Sequence, residues 1–438
     1  MFGKECIQEN KYTYLYKGEI PIPPLSMVDD IVCITECGYQ SARMNSFLNC
    51  KTSTKKLQFG ASKCKKMHIG KKHEDFKCHP LYVDNWEEKE NKNELGKDII
   101  EDICVGKVCM EEADEEKYLG DIVSKDGRNL KNIKTRVNKG KGIAKRILDI
   151  LEGIPFGKLY FQVAIILRNS LLVSSVMCNS ETWFSVTKSE LELLETADLM
   201  LLRSILGTPK TVPKELLYLE LGILPMRDVI RQRRLNFLHY ILNQGSETML
   251  FRVFEKQCKD RNKKDWVSNV LADLEELGLN VTFATIQQTC KVNWKNMVKN
   301  IIKEKAFRRL ETMKQTHSKA KFLKYQKLEM QDYLMPNDIE KITKEEVQLI
   351  FKMRGNITNL KMNMKNQYES FECEVCESED ENQKHVYECK KIWELKNEKK
   401  GHLQKYEDIM TGNVKDKIKI ARIFKENMKI HEEFKISK

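Results

Sequence analysis

The pattern of apolar and polar positions divides the chain into an irregular first quarter and a long helical remainder. In the first 125 residues the apolar runs are short. Leu25–Val28 and Ile31–Ile34 flank the pair Asp29-Asp30, and Met67–Ile69 follows a turn at Gly60. Between Asp84 and Glu116 apolar and charged residues alternate around Ile99–Ile103 and Val105–Met110, which predicts an exposed β-ribbon. A further short strand precedes Asp126-Gly127, a turn signal. Beyond Lys131 the period becomes helical: Ile133, Val137, Ile143, Ala144, Ile147, Leu148 and Leu151 make one face, which stops at Gly153-Ile154-Pro155. The next segment, to about Cys178, is apolar almost all round and is expected at the centre of a helical bundle.

Local signals then punctuate the helices. Thr187-x-x-Glu190 predicts a capping box, with Gly207 and Pro209 ending the helix it opens. Pro213 opens a short helix broken at Gly222–Pro225, and a fifth helix runs from about Met226 to Leu242. A boundary is expected near Asn243–Glu247, followed by more polar helices over 250–365, a compact Cys/His segment at 373–389 and a charged helical tail.

Composition narrows the class. Twenty glycines and nine prolines in 438 residues exclude collagen-like and Pro/Gly-rich disordered chains. The net charge of +12 suits a phosphate-bearing partner, but it is uneven: residues 41–80 carry net +8, 81–120 net −8 and 291–330 net +9. The most apolar stretch, Phe156 to Cys178, is interrupted by Lys158 and Arg168, so no membrane span is expected. Fourteen cysteines without an apolar signal core near the start predict an intracellular, reducing environment.

Two groups of residues carry candidate chemistry. Cys373-x2-Cys376-x8-His385-x3-Cys389 offers three thiolates and one imidazole within 17 residues, a spacing that suits a closed, structural tetrahedral Zn²⁺. Asp29 and Asp30, between two apolar strands, are either a solvated turn or a carboxylate pair at a hairpin tip, where both can reach a divalent cation. A looser set, Cys64, His68, Cys78 and His79, has irregular spacing and reads as packing. Cys33 with Cys37, and Cys104 with Cys109, read as small apolar core residues. No Walker or dinucleotide loop and no nuclease constellation is visible.

The order of motifs around the aspartates resembles that of a known family. Leu25-Ser-Met-Val-Asp29-Asp30-Ile resembles motif C, the metal-binding hairpin of reverse transcriptases. The segment FGASKCKKMHIGK resembles motif D, with Lys63 at the family's lysine position. KYLGDIVSKDG (Tyr118–Gly127) resembles the primer-grip strand of motif E. ELLETADLMLLRSILG, PKELLYLELGILPMRDVIRQRRLNFLHYIL and the Cys/His cluster resemble the thumb and tail of non-LTR, LINE-like retrotransposon polymerases.

The resemblance implies an α+β fold: a truncated polymerase palm over 1–127, a helical thumb over 128–245 and a basic helical region over 246–365. A zinc-knuckle-like segment over 366–395 and a helical tail over 396–438 complete it. It implies a fragment of an RNA-directed DNA polymerase. The intact enzyme extends a DNA primer on an RNA template from dNTPs by two-metal phosphoryl transfer, with Asp29 and Asp30 on Mg²⁺ and Lys63 beside the leaving pyrophosphate. RNA template, DNA primer and the element's own RNA are the implied partners, with nuclear and cytoplasmic localisation.

Met27 and Val28 depart from the family's aromatic-plus-small pair. No aspartate precedes Asp29, so motif A, motif B and the fingers lack counterparts, and this chain alone is expected to be inactive. The alternative is a non-catalytic RNA or primer–template binding module with a structural zinc. In either case Arg227, Arg231 and Arg234 share a helical face, available to grip phosphate or to pair with Asp228 and its neighbours. In 291–330, Trp294, Phe307, Phe322 and Tyr325 lie among twelve basic residues, as a buried stripe or as base-stacking groups.

Overall fold

The computed structural model describes residues 14–27, 30–55, 57–70, 81–92, 98–262, 264–317, 323–336, 342–364, 367–396 and 404–437. Its strands lie before residue 125. β1 (Tyr14–Tyr16) pairs with β2 (Ile20–Ile22), and β3 (Leu25–Met27) pairs with β4 (Asp30–Val32), placing Met27 opposite Asp30. Ile31 and Phe59 pack on Met44 and Leu48 of α1 (Gly38–Thr54). β5 (Lys65–Lys66) lies just before Met67–Ile69, where the sequence predicts a strand and the backbone is irregular.

The alternating region forms the expected ribbon: β6 (Tyr82–Lys92) runs antiparallel to β7 (Asp98–Cys109), with a register shift at Asn85/Trp86. β8 (Glu111–Glu112) lies parallel to β5. β9 (Glu115–Tyr118) and β10 (Asp121–Ser124) close a two-residue hairpin in which Leu119 and Gly120 both take positive φ, 47° and 85°, as a type I′ turn requires. Among the described residues the strands remain five separate two-stranded ladders, rather than one sheet of the kind a palm implies. The α+β class holds, with helices dominating.

α2 (Leu130–Glu152) buries the predicted face: Ile133, Val137, Ala144, Ile147 and Leu151. Gly140 lets its neighbours approach, since a Cβ there would lie 2.6 Å from Val176 Cγ2. α3 (Tyr160–Leu167) widens into a π turn over Arg168–Val173 and closes at Val176. It is not central. Ile166 is 63% exposed and Leu171 42%, because only the side carrying Phe161, Ala164, Arg168 and Leu172 meets the body. On that side Arg168 forms a fully buried bidentate pair with Asp198, at 2.6 and 2.7 Å.

α4 (Lys188–Leu206) carries Asp198 and begins with the predicted capping box. The Thr187 N–H donates to Glu190 Oε2 at 2.7 Å, and the Glu190 N–H donates to Thr187 Oγ1 at 3.3 Å. α5 (Lys214–Leu221) is buried from Glu215 to Leu221 and ends at Gly222, whose φ is +64°. Glu220 on α5 accepts from Tyr325 Oη at 2.5 Å, Tyr333 Oη at 2.7 Å and Arg354 Nε at 3.0 Å.

α6 (Met226–Leu242) serves two cores. Met226 and Ile230 belong to the main one. Leu235, Leu238, Ile241 and Leu242 join Phe254 of α7 (Met249–Lys259), Val270 and Leu274 of α8 (Trp266–Leu277), Ile286 of α9 (Phe283–Gln288) and Trp294, Val298 and Ile302 of α10 (Lys291–Gln315). The expected 245/246 boundary falls in the α6–α7 loop, yet the second core spans it. Trp294 is buried, with Nε1 donating to the Leu235 carbonyl at 3.1 Å, and Tyr325 is held by Glu220. These two are stripe residues, not stacking platforms; Phe307 is half-buried, and Phe322 lies outside the described residues.

The rest of the main core comes from α11 (Lys344–Arg354), α12 (Gln383–Glu388), α13 (Lys390–Leu395) and α14 (Val414–Ser437). It runs from Ile133 to Phe424 and includes Cys373 and Cys389, so the Cys/His segment is built into the helical body. Among the described residues no helix is long and apolar enough to cross a membrane.

Candidate metal centre

The Cys/His segment folds through short-range backbone bonds. Glu372 and Asp380 form an antiparallel bridge. Beside it the Cys373 N–H donates to the Glu379 carbonyl and the Glu381 N–H to the Phe371 carbonyl, both at 2.7 Å. This narrow hairpin carries Cys373 and Cys376 at its tip. Glu377, at φ +53°, turns the chain there, and its N–H donates to the Cys373 carbonyl at 2.8 Å. Asn382 then caps α12, its Oδ1 accepting from the His385 N–H at 2.9 Å. Cys389 ends that helix and begins the next.

The four predicted donors converge: their ligand atoms all lie within 4.8 Å of one another. A tetrahedron with Zn–S bonds of about 2.3 Å has edges of about 3.8 Å, so the donors stand near a closed cage. His385 Nε2 is 3.3 Å from Cys376 Sγ, and its Nδ1 lies 3.1 Å from Glu379 Oε2. A carboxylate accepting from Nδ1–H leaves the Nε2 lone pair for a metal. Burial pushes the Cys376 thiol up, but the Ser378 hydroxyl at 3.3 Å and backbone donors outweigh it, so its acidity rises. The neighbouring Cys373 sulfur likewise lowers the Cys389 thiol. Both shifts favour the thiolate that binds metal. The donor set could hold a metal ion such as zinc, with all four positions of a tetrahedron supplied by the protein.

The other predicted site residues are dispersed. Asp30 is exposed at the end of the β3–β4 hairpin, and Asp29 lies outside the described residues. Lys63 is exposed on a single 3₁₀ turn, Ala61–Lys63. Among the described residues no hydrogen bond or ion pair joins it to Asp30.

Two of the three arginines of α6, Arg231 and Arg234, are a correction. Arg231 Nε donates to Asp273 Oδ1 at 2.9 Å and also pairs with Glu276. Arg234 donates to Asp273 Oδ2 at 2.7 Å and to the Trp183 carbonyl at 3.2 Å. Both are buried, so they hold α8 against α6 and cannot grip phosphate. Arg227 is exposed and reaches Glu276 at 3.2 Å. Cys33, Cys37 and Cys109 are also a correction: they are exposed at element ends, not in a core. Cys64 is half-buried, which raises its thiol; Cys78 and His79 lie outside the described residues.

Sequence reasoning missed the solvent face of α2. Lys134, Asn138, Lys141 and Lys145 follow one another by four, three and four residues and are all exposed, with Lys139 and Arg146 exposed beside them. Residues 128–148 hold eight basic side chains and no acidic one, a signal hidden by averaging over longer windows. Among the described residues no carboxylate pairs with Lys134, Lys139, Lys141, Lys145 or Arg146.

Comparison with protein-family models, curated proteins and solved structures finds no match to this chain.

Proposed function

We propose that the chain binds the phosphate backbone of a nucleic-acid duplex through α2, on a helical body stapled by a structural metal. The observation that carries this is the unpaired lysine stripe. From Lys134 to Lys145 it extends about 16 Å at 1.5 Å per residue, comparable to five base-pair steps of about 3.4 Å. Gly142 sits within it with nothing inside 4 Å of where a Cβ would be, so the backbone is bare on the side a phosphate approaches.

The order of the reverse-transcriptase-like motifs supports a primer–template as the duplex, and the pairing of Met27 with Asp30 supports a hairpin at the paired aspartates. On that reading the chain carries the segment from the motif-C-like hairpin to the Cys/His tail of a LINE-like RNA-directed DNA polymerase. Asp29 and Asp30 are its contribution to a Mg²⁺ site and Lys63 its contribution beside the triphosphate.

The test is anisotropy of a labelled RNA–DNA duplex titrated with the metal-loaded chain across a salt series. Five phosphate contacts give a slope of log K against log salt of roughly −4, and Lys134, Lys141 and Lys145 changed together to Ala should flatten it by about 3. Equal affinity and slope in the triple variant would remove α2 from the interface.

A further inference from the structure

The C-terminal helix reaches the metal centre from outside the four-donor segment. On α14, Asn427 is fully buried and donates from Nδ2 to the carbonyls of Val386 and Tyr387 at 3.0 and 3.1 Å, just after His385 on α12. One turn later His431, 1% exposed, places Nε2 3.2 Å from Oε2 of Glu381, itself fully buried and adjacent to the α12 cap. One further turn on, Lys435 lies 3.5 Å from Glu381 Oε1, which also accepts from the Lys361 N–H at 3.2 Å. Residues 427, 431 and 435, spaced by four, share one face of α14, and that face is turned to the Cys/His segment.

His431 is the unexplained member. Neither of its ring nitrogens completes a hydrogen bond of good geometry, although the ring is enclosed. A buried polar ring without partners is costly and rare. Its polar neighbours are the Glu381 carboxylate, which Lys435 shares, and the side chain of Cys373, one of the four donors. A metal-bound sulfur is a thiolate, a better acceptor than a thiol, and N–H donors around such sulfurs tune and orient them.

We propose that His431 is a positioning residue of the metal centre. It stands between the Cys373 sulfur and the Glu381 carboxylate, so that filling the centre and seating α14 are one event. The metal then stabilises more than its own loop, because Ile418, Ile420, Ala421 and Phe424 of α14 belong to the main core. This inference is independent of nucleic-acid binding.

The experiment uses the full chain loaded with zinc or with cobalt(II). Three readouts are taken: competition with a chromogenic chelator, the thiolate-to-cobalt charge-transfer band, and amide hydrogen exchange over 414–437. Stripping the metal from the unaltered chain should remove exchange protection from 414–437 together with 373–389. His431→Ala should weaken metal retention about 10–100-fold and shift the cobalt band, while His431→Gln, which keeps an N–H donor, should recover part of both. Unchanged affinity and band in His431→Ala overturn the proposal. So does a stripped chain whose 414–437 amides stay protected, and that measurement decides the matter if His431→Ala does not fold.

Discussion

Replacing Asp273 by Ala separates a structural role for the α6 arginines from a nucleic-acid role. Asp273 accepts from Arg231 at 2.9 Å and from Arg234 at 2.7 Å, and all three side chains are less than a tenth exposed. At such distances the direct attraction is about 6 kcal/mol per pair with an effective dielectric constant near 20, most of it offset by the cost of desolvating the charges. The variant does not recover that desolvation, because two guanidinium groups stay buried. Arg231 retains Glu276, whereas Arg234 retains only the Trp183 carbonyl. The expected loss is therefore about 3–5 kcal/mol, the range for breaking a buried pair from one side.

Arg227→Ala on the same helix is the control. Its partner Glu276 is exposed and so is Arg227, so the change should stay within about 0.5 kcal/mol. Urea unfolding followed by circular dichroism reads both variants, and duplex anisotropy at fixed salt is measured alongside. A loss below about 1 kcal/mol for Asp273→Ala would refute the reasoning. So would a steeper salt dependence of binding, because arginines released from Asp273 would then be reaching phosphate.

Other expectations follow from single positions. Gly142→Ala meets nothing within 4 Å inside a helix and should stabilise the chain by roughly 1 kcal/mol. Gly140→Ala would bring a Cβ within 2.6 Å of Val176 and should destabilise it; paired urea midpoints check the opposite signs. Glu346 caps α11 and pairs with Arg422 at 2.7 Å. Burial raises its carboxyl, but Arg422 and the Thr343 N–H outweigh that and hold it below the ordinary value of 4.5. A carboxyl depressed in the folded state stabilises above its unfolded pKa and loses that contribution as pH falls through the folded value. Glu346→Gln should therefore flatten the fall in stability below about pH 4.5, measured by melting across pH.

The elements legible in the sequence are those whose signals are local. Thr187 and Glu190 cap α4 across three residues, Gly207 and Gly222 end helices through their own φ, and the face of α2 repeats every three to four positions. The metal donors were readable for the same reason: hairpin, cap and helix lie within 17 residues, and each is closed by neighbours in the chain. Solvent exposure was less legible. The apolar composition of α3 implied burial on every side, but a helix packed on one side leaves Ile166 and Leu171 outside.

What only the tertiary structure decided involves charge and distance along the chain. Arg234 and Asp273 are 39 residues apart, Arg354 and Glu220 are 134 apart, and His431 meets a carboxylate 50 positions before it. A sequence states which side chains are charged but not which will lose their water together. Arginines on a helix face read the same whether they meet a carboxylate or a phosphate. Packing settles it: α8 brings Asp273 onto α6 and consumes those arginines, while among the described residues no carboxylate pairs with Lys134, Lys139, Lys141 or Lys145 of α2, and these remain in solvent.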